Sequence, residues 1–375
     1  MPERERPAPL VFVTEPPDGQ PFGTHAGIAA DGQRLLAREL THRLGRLGAA
    51  VRALPAAPSS PEGFHWGRWF ADAAATALDS GIDAIGYAGG GALALLADDG
   101  LDALLSPIPG EAVANNRFSA DAFVVAGDLP RALDALRDCP VDNAAPRHLE
   151  AAGFAVRDLG STPWARFDVD TTLDLALLRL ATRLHGTRPL DGSLRGFLEM
   201  ARLPGDRGLE VPHLARIGEV MRDRSAELVV CGRLPVATWS ELETETACRV
   251  RCIVEERGMR SARGTGSVPR SLLAALLERT SPADLVAVLA TLGDAVVLDT
   301  RVLMAAMARS ADAAGWPPEE DRFASDFGDA SRVGTPWLRE LTEAAGEAAV
   351  PFLFGGHALV SDGLRLIVAA AWQGR

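Results

Sequence analysis

Residues 83–91, DAIGYAGGG, decide the fold. An apolar run of strand length, 83–87, enters three consecutive glycines, as a buried strand does where it ends in a turn or beside a ligand. Working outward, 9–14 (PLVFVT) and 49–54 read as strands. Residues 33–47 place Leu35, Leu36, Leu40, Leu44 and Leu47 at helical spacing, and 70–78 form a second helix closed by Ser80 and Gly81. Strand, helix, strand, helix, strand predicts a parallel sheet wound in the right-handed sense. Beyond the glycines the pattern predicts helices at 99–105, 130–137 and 147–152, strands at 122–125 and 155–158, and an extended segment at 165–168. A helix at 173–184 aligns Leu173, Leu177, Leu180 and Leu184 on one face.

A chain of 375 residues exceeds the ~250 to 300 residues at which single cores stop growing, so two domains are expected. The first is placed at 1–185. A linker follows at 186–210, marked by Gly186, Pro189, Gly192, Pro204, Gly205 and Gly208 around an amphipathic stretch at 194–203. The second, 211–375, restarts the alternation, with strands at 227–231, 249–254, 294–299 and 351–354 and helices at 214–224, 238–246, 271–278, 283–292 and 335–349. The fold class is therefore α/β: a mostly parallel wound sheet followed by a second α/β domain.

Composition excludes several classes. Fifty acidic residues against 38 basic ones give −12, the reverse of what counterion release from a phosphate backbone requires, so no nucleic-acid partner is expected. No apolar run approaches the ~18 residues of a membrane span. The charged, proline-rich start does not read as a signal peptide, and the expectation is a cytoplasmic protein. Cys139, Cys231, Cys248 and Cys252 fit neither a zinc nor a disulfide spacing. Nothing in the pattern fixes an oligomeric state.

Residues 168–175, DVDTTLDL, set Asp168 and Asp170 two apart just after an extended segment, with Thr171 and Thr172 able to cap the next helix. If strand geometry persists through Asp170, both carboxylates share a face and one could ligate Mg²⁺. An N-cap with a turn explains the same residues. This motif, with Arg147, His148, Leu149, Glu150, Ala151 and Ala152 upstream, resembles the C-terminal segment of the 2-phospho-L-lactate guanylyltransferases. The wider nucleotidyltransferase family includes the molybdenum cofactor guanylyltransferases. Asn115, Asn116 and Ser119 stand where that family has an Asn-bearing loop on the acceptor side, and Gly89, Gly90 and Gly91 where it has G-D-x-P-L. The resemblance covers 9–185. It implies a nucleotidyltransferase-type (GT-A-like) sheet, Mg²⁺ on Asp170 supported by Asp168, and a nucleotide or phosphorylated small molecule as partner. The other six residues would line the pocket.

The departures bear on activity. Where the family has a glycine-rich phosphate loop, this chain has Thr14, Glu15, Pro16, Pro17, Asp18, Gly19 and Gln20; two prolines give no N–H and two acids repel phosphate. The first metal-binding Asp of the family is a glycine here. The alternatives are a transferase that has moved its chemistry to other residues and a non-catalytic binding or scaffold protein.

A second constellation lies downstream. Asp299 ends the apolar strand AVVLD, and His357 follows Gly355 and Gly356 after PFLF. Ligands of open α/β sheets sit beyond the carboxyl ends of strands, where both would project. His357 with Asp299 could do acid–base work on a small anionic substrate, with Arg301, Arg322 and Asp326 supplying an anion contact and a second carboxylate. A structural ion pair and a turn explain the same residues. Arg249, Arg251 and Ile253 share one face of 249–254, which suits a solvated edge strand as well as an anion site.

Overall fold

The computed structural model describes residues 8–16, 20–54, 64–77, 81–256, 259 and 268–373. The fold is α/β and divides into two compact units, each built on a mostly parallel sheet.

The first unit contains β1 (Leu10–Thr14), α1 (His25–Arg46) from Ala30 onward, β2 (Ala50–Leu54), α2 (Trp66–Ala75), β3 (Ala84–Ala88) and α3 (Asp98–Leu105). There follow β4 (Glu111–Ala114), β5 (Ala122–Ala126), α4 (Leu129–Arg137), α5 (Ala145–Ala151) and β6 (Ala155–Asp158). Its six strands run in the order β2-β1-β3-β5-β4-β6. β1 is parallel to β2 and β3, and β4 to β6, but β5 is antiparallel to both neighbours. The cause is the connection from β4, residues 115–121, which is shorter than the dozen or so residues a parallel crossover needs. β4 itself was not expected: EAVA carries one β-branched residue and little strand propensity.

Alternation along β1 sorts the core. Leu10 and Phe12 face one layer with Trp66, Phe70, Tyr87 and Phe123; Val11 and Val13 face the other with Leu40, Leu44, Val113 and Val124. Trp66 stacks on Phe70 at 5.1 Å, and Phe70 meets Tyr87 and Phe123 edge-on at 5.8 and 5.9 Å. Residues 64–69 thus put Trp66 into the core.

The second unit opens with α6 (Thr172–Ala181), α7 (Gly192–Met200), the short antiparallel pair β7 (Arg202–Leu203) and β8 (Arg207–Gly208), and α8 (Leu214–Arg222). β9 (Glu227–Gly232), α9 (Val236–Glu245), β10 (Arg249–Val254), α10 (Leu272–Leu277) and α11 (Pro282–Ala290) follow. The chain then forms β11 (Ala295–Asp299), α12 (Thr300–Met307), α13 (Glu319–Asp326), α14 (Pro336–Glu347), β12 (Phe352–Gly355) and α15 (Leu364–Trp372). The sheet order is β10-β9-β11-β12, parallel throughout. One face packs Val229, Cys231, Val296, Leu298, Phe352 and Phe354 against Leu273, Leu285, Leu303, Leu338 and Leu341. β10 is an edge strand, and Arg251 pairs with Glu227 at 2.6 Å.

The division corrects the expected boundary. It falls between Asp168 and Val169, so 169–185 and the whole of 186–210 belong to the second unit, as do Gln20–Ala29. The physical reason is α6, buried on nearly all sides; its Leu173 and Leu177 pack within about a van der Waals contact of Gly355 and Gly363, where an added Cβ would meet them at 2.8 Å. Residues 319–326, which follow Pro317 and Pro318, form a helix and not a loop. It is α13, because Pro318 precedes a first turn rich in Glu319, Glu320 and Asp321, which suits a helix N-terminus.

Candidate functional site

In the first unit the chain passes from β1 to β2 on one side and onward to β3 on the other, so the strand order reverses between β1 and β3. Connections diverge there, and an open α/β sheet has its natural crevice beyond the carboxyl ends of those strands. Thr14 ends β1, and Gly89 to Gly91 follow β3. Gly90 is needed for packing: a Cβ there would lie 2.6 Å from the Thr14 carbonyl oxygen. The Gly90 N–H donates to Thr14 Oγ1 at 3.2 Å and the Gly89 N–H to the Asp121 carbonyl at 2.8 Å. Ala92, one residue on, forms an isolated antiparallel bridge with Asp168, which brings the first carboxylate of the DVDT motif to this loop.

The Asn-bearing loop lies alongside. Asn115 is buried, and its Oδ1 accepts from the N–H groups of Asp121 and Ala122 at 3.0 Å each, while Nδ2 donates to the Ala165 carbonyl at 3.1 Å. Its side chain stitches β4 to β5. Asn116 closes an Asx turn, its Oδ1 accepting from the Phe118 N–H at 3.2 Å. Ser119 is half-buried. Sequence reasoning did not single out Tyr87 or Asn143. The Tyr87 hydroxyl, at the end of β3, donates to Asp142 at 3.1 Å; burial and then the Asp142 charge push its pKa well above the usual tyrosine value. Asn143 donates to Asp121 Oδ1 at 3.2 Å, and its own buried Oδ1 has no partner among the described residues.

The strand geometry expected through Asp170 stops at Asp168, which is half-buried and belongs to the first unit; Asp170 is exposed and belongs to the second. The expected cap is present. Thr171 caps α6, with its Oγ1 accepting from the Asp174 N–H at 3.2 Å, while Asp174 Oδ2 accepts from the N–H groups of Thr171 and Asp170 at 2.8 and 3.1 Å. Asp174 is buried with Oδ1 unpartnered among the described residues, and burial, then the Asp170 charge, raise its carboxyl to about 7. Its spacing from Thr171 is the capping-box signature, so this residue was legible. His25, fully buried, sets Nδ1 3.3 Å from Thr172 Oγ1 and its ring 5.5 Å from Phe327, and burial lowers its pKa to about 4. Among the described residues no three His, Cys, Asp or Glu side chains gather as a metal cage. A cation at Asp170 would take the rest of its shell from water and phosphate oxygens, as Mg²⁺ commonly does.

The second sheet also reverses, between β9 and β11. Gly232 ends β9 at φ +124, and a Cβ there would meet Asp299 Cβ at 2.3 Å. This close approach places Arg233 over Asp299, the last residue of β11 and fully buried. Arg233 Nε and Nη2 donate to the Asp299 carboxylate at 2.6 and 3.1 Å, and the Arg301 N–H donates to it at 3.2 Å. Burial alone would raise the Asp299 carboxyl, but Arg233, then His357 and Arg301, hold it below the usual range. Arg301, also buried, grips Asp326 through both terminal nitrogens at 2.5 and 2.6 Å. Arg322 is nearly buried, its side chain 12% exposed, with Glu319 3.6 Å away. His357 is half-buried and opens the helical segment one residue after β12, whose Gly355 registers with Asp299. The structure therefore gathers Asp299, Arg301, Arg322, Asp326 and His357 in one unit, but commits Asp299 to Arg233 and the Arg301 backbone. Arg233 was missed; the Gly-Arg pair directly after an apolar strand was its signal.

No family model matches the chain, and no curated protein does. Among solved structures it is similar to a Desulfovibrio desulfuricans protein provisionally described as a nucleotide-diphospho-sugar transferase. The identity is 17% and the TM-score 0.38, over 52% of this chain and 94% of that one.

Proposed function

We propose that the first unit binds a nucleotide or sugar phosphate at the carboxyl edge between β1 and β3. The observation that carries this reading is the strand-order reversal that sets Thr14, Gly89 to Gly91 and, through the Ala92 bridge, Asp168 at one crevice. The sequence resemblance over 9–185 supports the same ligand class. Asp168 and the Tyr87–Asp142 and Asn143–Asp121 pairs are polar groups suited to orienting hydroxyls of a base or sugar. Asn115, bound to backbone on both sides of its amide, positions the loop instead of reading the ligand.

Transfer of a phosphoryl-linked group depends on positioning and on neutralising charge at the phosphates. Two prolines and two acids after β1 provide no cradle, so neutralisation falls to a cation. The resemblance puts Mg²⁺ on Asp170, a residue of the second unit; in the first unit a cation would arrive with the phosphates of the ligand. The protein's own residues orient the ligand and shape the turn. Differential scanning fluorimetry with a panel of nucleoside triphosphates and nucleotide sugars, with and without Mg²⁺, tests the proposal. A ligand at about 100 times its Kd adds about 2.7 kcal/mol of stability. A flat response to the whole panel refutes it and leaves the scaffold reading.

A further inference from the structure

We propose that the carboxyl edge of the second sheet binds a small oxyanion, the phosphate or carboxylate of a small metabolite, through Arg322 beside the Arg301–Asp326 pair and the Gly356 turn. Two arginines at this edge have dedicated carboxylates: Arg233 holds Asp299 and Arg301 holds Asp326, while Arg322 stands one helical turn before Asp326 on α13. Among the described residues Arg322 has no carboxylate at hydrogen-bond distance. Glu319 is 3.6 Å away with 53% of its side chain exposed, and Arg322 Nε is buried with no hydrogen-bond partner among the described residues. The faces of Trp316 and Phe323, at 5.8 and 5.7 Å, hold the guanidinium in place without neutralising it.

The electrostatics agree with the geometry. Burial and then the Arg301 charge bring Arg322 down to about 10, and Glu319, Asp326 and Asp170 offset this only in part. At about 10 the guanidinium still carries its charge at neutral pH, and a bound oxyanion would stabilise that buried cation. Gly356, half-buried and free of a side chain, borders the pair: an added Cβ would stand 3.6 Å from Arg301 Nε. The reversal between β9 and β11 puts this cluster where parallel sheets receive ligands. The inference concerns the second unit alone and stands apart from the reading of the first.

Isothermal titration of the full chain with inorganic phosphate and, separately, with succinate tests it and distinguishes the two oxyanion sources. Wild type binds one of them. Arg322→Met weakens that binding by about tenfold or more, as expected for a lost charge-assisted hydrogen bond; Arg322→Lys keeps part of it, and Gly356→Asp, which sets a carboxylate beside Arg301, abolishes it. The proposal is overturned if neither anion binds wild type at about 10 mM, or if Arg322→Met and Gly356→Asp, folded by circular dichroism, bind as wild type does. Nucleotide response is read on the same variants. If it survives Arg322→Met while oxyanion binding is lost, the two sites are separate; if both are lost, the nucleotide belongs to this edge and the reading of the first unit fails alone.

Discussion

Replacing Arg233 by Ala tests the electrostatic account of the second sheet most sharply. Asp299 is 0% exposed, and of the four bonds its carboxylate accepts among the described residues, three come from Arg233: Nε at 2.6 Å, Nη2 at 3.1 Å and the backbone N–H at 3.4 Å. Truncation removes the first two with the countercharge. Breaking one partner of a buried pair leaves an uncompensated charge, at about 3 to 5 kcal/mol, a large share of the ~5 to 15 kcal/mol of a typical domain. The pH dependence follows with its sign. In wild type the Asp299 pKa is lowered in the folded state, so its contribution is present above the unfolded value near ~3.9 and is lost as pH falls through the folded value. Without Arg233, burial dominates and the folded pKa rises, so the defect shrinks as the medium is acidified and the carboxyl protonates. Urea denaturation by circular dichroism at pH 7.5 and 5.0 reads both effects. A loss below about 1 kcal/mol at pH 7.5, or a defect equal at both pH values, would refute the reasoning.

Other consequences are simpler. Asp174 has a raised folded pKa, about 7, so its contribution is complete below its unfolded value and is lost as pH rises through 7; Asp174→Asn, which keeps an acceptor for the cap, should flatten the melting temperature between pH 5.5 and 8.5. Asn115→Ala leaves the Asp121 and Ala122 N–H groups and the Ala165 carbonyl to find new partners, and unfolding should show a cost of about 1 to 3 kcal/mol per group left unsatisfied. Phe70→Ala opens the aromatic core of the first unit and should cost about 3 to 5 kcal/mol, read by the same denaturation.

Strong periodicity made the strands readable. PLVFVT, DAIGY and AVVLD became β1, β3 and β11 within a residue, and 249–254 became β10 at both ends. What failed was local signal overridden by context. EAVA forms β4 only because β5 and β6 pair with it, and α12 starts immediately after β11 because Asp299 caps it, leaving no loop for the eye to find. The domain boundary was misplaced because glycines and prolines at 186–210 punctuate loops within a unit as readily as they join two. At the sites, residue types were legible but partners were not. His357 and Asp299 were expected together from two strand ends, and β11 and β12 are indeed neighbours; that Arg233 would take the Asp299 carboxylate depends on Gly232 reaching φ +124 in a third strand, which no spacing reveals.

The most direct test of nucleotide binding by the first unit is hydrogen–deuterium exchange of the full chain with and without a saturating nucleoside triphosphate or nucleotide sugar. Protection should appear in peptides spanning 87–92 and 115–121, around the glycine turn and the Asn-bearing loop. Protection confined to 230–235, 299–301 and 322–326, or absent throughout, would contradict it.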